Sequence, residues 1–306
     1  MRPLCLLLLG WGCLTAPGRL AADTFSLATY NVENYLAAPV PGRTAKPEEA
    51  KARVRDTLLI VRADVVALQE MGSTNALLQL RDALRAGGLD YPHWEHVTGH
   101  DTNIHVAVLS RLPIVARRPH TNDSFLIDDR RFRVSRGFLE LDLQATHQFQ
   151  VTLIAVHLKS KRPVPEADQA ELRQQEALLL REKIDAHLKA RPDAPLLVVG
   201  DFNDTRESKP VRAVIGRGRA ALVDLRPEEA TRARPDEPFQ RPAANVTWTY
   251  FYNREDTYSR FDYALANRAL AARVVPERTA VLALPWWREA SDHRPVVVTF
   301  TVPAAK

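Results

Sequence analysis

Asn31, Glu70, His157, Asp201, Asn203, Asp262, Asp292 and His293 share one context: each ends or borders an apolar run of the kind that forms buried strands. "LATYN" runs into Asn31, "VVALQ" into Glu70, "TLIAV" into His157 and "LLVVG" into Asp201 and Asn203, while "RFDY" and "SDHRPVV" carry the rest. One such interruption is a turn, because Gly, Asp and Asn take up turn conformations at little cost. Recurrence of carboxylates, amides and imidazoles at strand edges predicts instead one polar site on a rigid scaffold. The only cysteines, Cys5 and Cys13, lie in the apolar N-terminal segment, so cysteine catalysis and thiolate metal sites are excluded from the remainder. No G-x-S-x-G elbow accompanies "SDH", and there is no P-loop, G-x-G-x-x-G or HExxH. Any metal would therefore find oxygen and imidazole ligands.

The elements that must position these residues read as mixed α/β. Strand-like runs span 25–32, 65–70, 105–111, 137–143, 151–158, 196–202, 260–267 and 295–302. Two helices stand between them. Residues 47–62 open with Pro47 and Glu48, which suit a first turn, and residues 166–190 repeat apolar positions at helical spacing before Pro192. Several strands are continuously apolar, as expected when both faces are covered. "FLELDL" alternates, with Phe138, Glu140 and Asp142 on one side and Leu139, Leu141 and Leu143 on the other. The expected fold is an α/β two-sheet sandwich flanked by helices. No composition break divides the chain, and the Pro-rich stretches 37–47, 162–165 and 226–242 read as surface loops, so residues 23–306 are expected to form one domain.

Residues 1–22 are of another kind. Arg2 precedes an apolar stretch, 4–16, that is shorter than the ~20 residues of a bilayer span, and Ala21 and Ala22 supply small residues beyond it. The pattern predicts a secretory signal cut near Ala22 and a periplasmic or extracellular mature chain without disulfides. Bulky Trp11 argues against a lipoprotein signal through Cys13. The net charge of +5 falls to +3 when Arg2 and Arg19 leave with the signal, which is too small to point to a polyanion. Clustering says more: Arg130, Arg131, Arg133 and Arg136 fall close together, and "HLKSKR" adds Lys159, Lys161 and Arg162. Asn122, Asn203 and Asn245 open glycosylation sequons. A sugar on Asn203 would block the expected site, which favours a secretion route that does not glycosylate.

Taken together, "TYNVEN", "ALQE", "VAVLSR", "VHLKSK", "GDFND", "FDYALAN" and "SDHRPV" resemble, in order and approximate spacing, the endonuclease/exonuclease/phosphatase superfamily that contains deoxyribonuclease I. The resemblance covers residues 25 to 300, and "YNVEN" with "VHLKSK" is similar to secreted bacterial nucleases. It implies a four-layered, two-sheet sandwich of mixed sheets and metal-dependent cleavage of phosphoester bonds. Carried over by motif, Asn31 and Glu70 resemble metal ligands, with Asp292 beside them; Arg136, His157 and Asn203 resemble phosphate contacts. Asp201 with Asn203 resembles the group that positions or activates water, Asp262 a carboxylate partnered with His, and His293 an oriented imidazole. His157, Asp201, Asn203, Asp262 and His293 are thus the expected catalytic residues. Either Asp292 or Asp262 could orient His293, because neighbours in an extended chain point oppositely.

The implied chemistry makes physical sense. An anionic phosphodiester repels hydroxide, so hydrolysis needs charge neutralisation, an aimed water and a protonated leaving oxygen. One acid–base residue supplies only ~10²–10⁴-fold, so a metal contributing Lewis-acid stabilisation is expected beside the imidazoles. Oxygen-only ligands favour Mg²⁺, with Mn²⁺ or Ca²⁺ possible. The expected activity is a non-specific endonuclease acting on nucleic acid, by a monomer without stable membrane association. Alternatives are a sphingomyelinase-like lipid phosphodiesterase, a small phosphate-ester phosphatase, and a binding module that has lost activity; the last predicts substitutions at site positions, and none is found. Trp286 and Trp287 are candidates for base stacking, with core filling or a cleft wall favoured over it.

Overall fold

The computed structural model describes residues 24–243 and 246–303; the expected signal segment, both cysteines and Asn245 lie outside them. In chain order the strands are β1 (Thr24–Tyr35), β2 (Val65–Met71), β3 (His93–Val97), β4 (His105–Ser110), β5 (Ile114–His120), β6 (Ser124–Ile127), β7 (Arg130–Arg133), β8 (Phe138–Thr146) and β9 (Phe149–His157). There follow β10 (Leu196–Asp201), β11 (Val223–Asp224), β12 (Glu229–Ala230), β13 (Tyr250–Tyr252), β14 (Thr257–Ser259), β15 (Asp262–Ala266), β16 (Ala280–Leu282) and β17 (Val296–Thr301). The longer helices are α1 (Glu48–Val61), α2 (Thr74–Ala86), α3 (Gln169–Ala190) and α4 (Lys209–Ile215).

Two mixed sheets hold the centre. One runs β12-β16-β17-β1-β2-β4-β3, the other β11-β15-β10-β9-β8-β5. They face each other across Phe25, Leu27, Val65, Val108, Leu141, Leu153, Val199 and Phe300, among other buried side chains. The outer face of the first sheet packs Ala28, Tyr30 and Leu68 against Leu58, Leu77 and Leu80 of α1 and α2. The outer face of the second packs Ile154, Val156 and Val198 against Leu172, Leu180 and Ile184 of α3 and Val211 of α4. Helix, sheet, sheet, helix: this is the four-layered sandwich read from the sequence. Continuously apolar strands are a consequence, since both faces of each central strand are covered.

The alternation of "FLELDL" is kept, but its polar face is not wet. Leu139, Leu141 and Leu143 enter the core between the sheets, while Glu140 and Asp142 are buried beneath Arg118 of the edge strand β5. Arg118 binds Asp142 with both of its terminal nitrogens, at 3.0 and 2.6 Å, which offsets the cost of burying two carboxylates. Against the opposing effect of burial, the His120 bond and then the guanidinium hold Glu140 below its usual range, and the guanidinium holds Asp142 below its own.

The expected helices at 47–62 and 166–190 correspond to α1 and α3. The structure adds α2, capped by Ser73, whose side chain accepts from the amide of Ala76. Among the described residues no helix is long and apolar enough to cross a membrane.

Candidate active site

Strand direction decides where the polar residues meet. Strands β1, β2, β9 and β10 run parallel within their sheets and end at the same edge of the sandwich, where β15 and β17 begin. Asp201, the last residue of β10, is in register with His157 on one side and Asp262 on the other, so three of the expected residues occupy one row. Asn31 and the segment before β17 arrive from the facing sheet. Ser291 fixes that segment: its hydroxyl donates to the carbonyl of Asn31 at 2.8 Å and accepts from the amide of His293 at 3.1 Å.

Local backbone departures aim the side chains. Gly200 has φ 140°, and a Cβ there would lie 1.9 Å from the carbonyl oxygen of Val156. Only glycine lets β10 close on β9 immediately before Asp201. Glu70 and Asn203 are left-handed, with φ 61° and 53°, and the β1–β2 pairing slips after Asn31. Such irregularities at strand ends redirect side chains and concentrate at functional sites.

Asp201 is the hub. Its Oδ2 accepts from Asn31 Nδ2 at 3.0 Å and lies 3.6 Å from His157 Nε2 and 3.7 Å from His293 Nε2. Its Oδ1 accepts from the amide of Asn203 at 2.7 Å. Burial pushes its carboxyl up to about 7, with the Asp262 carboxylate adding to the rise and the His293 cation opposing it.

The two imidazoles are held in opposite states. His157 is buried among Arg136, His293, Arg43 and Lys159, and burial first, then those cations, drive it well below its ordinary value. It is neutral, and among the described residues neither ring nitrogen has a hydrogen-bond partner. His293 is buried too, which disfavours its charge, but the carboxylates of Asp262, Asp201 and Asp292 outweigh burial and raise it well above its ordinary value. Its Nδ1 bonds to Asp262 Oδ2 at 2.7 Å, whereas Asp292 comes no nearer than 4.0 Å, to Nε2. Asp262, not its sequence neighbour, therefore orients the imidazole and leaves Nε2 facing Asp201.

Arg136 and Asn203 both donate to the carbonyl of Leu158, at 3.3 and 3.0 Å, which brings them beside His157. A sugar on the Asn203 amide would break that second bond. The basic cluster of the sequence divides here: Arg136 is buried, with Nε lacking a hydrogen-bond partner, while Arg130, Arg131 and Arg133 stay exposed on the β6–β7 hairpin that leads into it.

Glu70 and Asp292 line the acidic side. Glu70 accepts from the amide of Asn34 at 2.9 Å. Asp292 sits in the cleft, its side chain 36% exposed yet walled by protein; desolvation and the repulsion of Glu33, Glu70 and Asp201 outweigh the His293 cation and push it up to about 7. Carboxylates crowded to this degree, with hard oxygen donors and no thiolate, fit a divalent cation. Asp201, Asp262 and His293 also offer ligand atoms within 4.8 Å of one another. The Nδ1 bond to Asp262 turns Nε2 of His293 toward Asp201, so the trio can pass a proton as well as offer ligand atoms. All eight strand-end residues and Arg136 thus come together at one edge of the sandwich.

Three residues escaped the sequence reading. Glu176 of α3 accepts from Ser135 and from the amide of Lys159, tying the chain at Arg136 to the chain at His157; its signal was a carboxylate on an apolar helical stripe. Ser291 and Tyr250 are the others. Trp286 donates to Thr57 and packs on the core beside α1, and Trp287 packs edge-on against Trp248 and Phe251, so both act as wall and filler.

Comparison with known proteins agrees with this fold. Among solved structures the fold is similar to a humanized TDP2 of D. rerio (TM-score 0.61, 19% identity, 92% of this chain and 100% of that one). It is similar also to sphingomyelinase C from Streptomyces griseocarneus (0.59, 20%, 91% and 99%) and to the human Nocturnin catalytic domain (0.61, 14%, 92% and 95%). No curated protein matches the sequence. The model of the Endonuclease/Exonuclease/phosphatase family matches residues 28–293, with the hub aspartate and both imidazoles inside the match. On that match, the chain belongs to the endonuclease/exonuclease/phosphatase family of phosphoester hydrolases, whose members generally use divalent metals.

Proposed function

We propose that this protein is a secreted, divalent-metal-dependent phosphodiesterase that cuts nucleic acid as an endonuclease without strong sequence preference. The observation that carries the reading is Asp201 Oδ2, held between a neutral and a cationic imidazole beside a crowded acidic pocket. Neutral His157, unpartnered, and Arg136 contact the phosphoryl oxygens. Asp201, poised near 7, takes a proton from the attacking water, which the Asn203 amide side chain helps to orient. His293, kept charged by Asp262, gives its Nε2 proton to the leaving oxygen, which balances the proton that Asp201 takes from water. Asn31, Glu70 and Asp292 would hold the cation, Mg²⁺ by ligand hardness; when bound it supplies Lewis-acid stabilisation worth several kcal/mol.

Exposed Arg130, Arg131 and Arg133 beside Arg136, with exposed Lys161 and Arg162, suit a phosphate backbone that continues beyond the cleft. A monomer without stable membrane association is part of this reading. The second reading, a sphingomyelinase-like lipid phosphodiesterase, draws on Val246 and Tyr258, which are 81% and 51% exposed on the segment carrying Trp248. A panel of plasmid, RNA, sphingomyelin and phosphomonoesters, with and without EDTA, separates them. Nicking that resists EDTA, or that survives in His293→Ala, overturns the enzymatic assignment, and preferred turnover of sphingomyelin overturns the substrate.

A further inference from the structure

The hairpin β13–β14 is bonded to the terminal polar motif along its backbone. The amide of Phe251 donates to the carbonyl of Asp292 at 2.9 Å, and that of Arg294 donates to Thr249 at 2.8 Å, so Tyr250 and His293 are bridge partners. Side chains follow suit. The Tyr250 ring lies 4.7 Å from the His293 ring and stacks on Phe261, neighbour of Asp262, at 5.0 Å and 17°. A phenol whose ring packs against two others has little rotational freedom left, so its oxygen is placed rather than sampled.

Asp292, Asp201 and Glu70 stand near that phenol. Burial first, then Asp292, Asp201, Tyr252 and Glu70, oppose its ionisation, so it remains an O–H at every working pH. Among the described residues nothing hydrogen-bonds to it, whereas the fully buried Tyr91 and Tyr263 donate to backbone carbonyls. Tyr250 is only half-buried, so its hydroxyl can be reached by a ligand in the cleft. A neutral donor whose ring packs on a cationic imidazole is suited to an anionic acceptor from outside the chain.

Resting on the phosphodiesterase reading above, we propose that Tyr250 is a further catalytic residue: its hydroxyl donates a hydrogen bond to a non-bridging oxygen of the substrate phosphoryl group. The role is separable from that of the ring. Tyr250→Phe keeps the contacts with His293 and Phe261 and deletes only the donor, whereas Tyr250→Leu deletes both.

A hydrogen bond to a charged acceptor contributes about 1.5–3 kcal/mol, so Tyr250→Phe should weaken binding of inorganic phosphate roughly 10–100-fold in calorimetry on the full-length protein. Its kcat/KM for bis(p-nitrophenyl) phosphate should fall by a similar factor, with Tm unchanged and the pH profile in place. Tyr250→Leu should fall further and displace the pH profile, because His293 loses its neighbour. Wild-type phosphate affinity in Tyr250→Phe overturns the proposal. So does a loss matched by a drop in Tm, which would assign the hydroxyl to folding, and so does a wild-type protein that binds no phosphate. Phosphate binding that depends on Tyr250 in a protein that cuts no phosphodiester would uphold this contact and sink the enzymatic reading, so the two failures are distinguishable.

Discussion

Asp262→Asn tests the central pair with the least disturbance to shape. Asp262 has no side-chain exposure, and its Oδ2 takes the Nδ1 proton of His293 at 2.7 Å. Asparagine can present an amide oxygen at the same place, so the bond survives and the charge is lost. Asp262 is the first of the carboxylates that keep His293 protonated against burial. Without it the imidazolium is lost at lower pH, so the alkaline limb of the rate profile moves down. A positioned acid–base residue is worth ~10²–10⁴-fold, about 3–5 kcal/mol of barrier. His293→Ala should therefore cost that much, and Asp262→Asn an amount inside it. Because Asp262 acts through His293, the double variant should be no slower than His293→Ala alone. The assay is kcat and kcat/KM on bis(p-nitrophenyl) phosphate between pH 5 and 10, with the His293 ring protons followed by NMR. Multiplicative losses in the double variant, or an unmoved alkaline limb in Asp262→Asn, would refute the reasoning. Stability carries the same sign: the charged pair contributes fully below the unfolded histidine value and less as pH rises through the raised folded value. The Tm gap between the two proteins should narrow toward alkaline pH.

Glu70→Gln should lose most of the Tm gain that Mn²⁺ gives the wild type, about 2.7 kcal/mol at 100 times Kd; an undiminished gain would remove Glu70 from the metal pocket. Asp201 and Asp292 are both raised to about 7, so the metal-free fold holds their protons more tightly than the unfolded chain and is penalised as pH climbs from ~4 to 7. A cation takes the place of those protons, so the Mn²⁺-induced Tm gain should be larger at pH 8 than at 5.5, and equal gains would contradict the crowding. Arg118→Met leaves buried Glu140 with only His120 and buried Asp142 with only Arg191 as basic neighbours and should cost about 3 kcal/mol in urea denaturation, the low end for a buried pair because the guanidinium is itself 35% exposed. Gly200→Ala combines a left-handed backbone with a clash on Val156 and should destabilise by about 3 kcal/mol or more; a folded, fully active variant would show that β10 can approach Asp201 by another path.

The central strands were legible because burial on both faces leaves continuous apolar runs, and their polar ends stood out against them. Edge strands were not. "HWEHV" and "IVARRPH" form β3 and β5, but an edge strand faces water along part of its length and carries a weak apolar signal. Helix α2 needed no tertiary information: Leu77, Leu80 and Leu84 behind Ser73 announce it. Arg118 reads as a surface charge until the pairing of β5 with β8 sets it over Glu140 and Asp142. Tyr250 is harder still. Its strand has only three residues, and its meaning arises from a ring contact with a histidine far along the chain. What the sequence displayed was the identity of the polar set, and what it withheld was which carboxylate serves which imidazole.

The hydroxyl of Ser291 and the carbonyl of Asn31 that it holds are 260 positions apart, and β1 pairs with β17, the last strand. A ribosome emits this chain from the other end first. Until the final stretch clears the exit tunnel, the opening strand has no closing partner and His293 cannot reach Asp262. A chain that stops upstream of Ser291 lacks both the hydroxyl that holds Asn31 and the imidazole that faces Asp201, so the site is completed only by the last segment to be made.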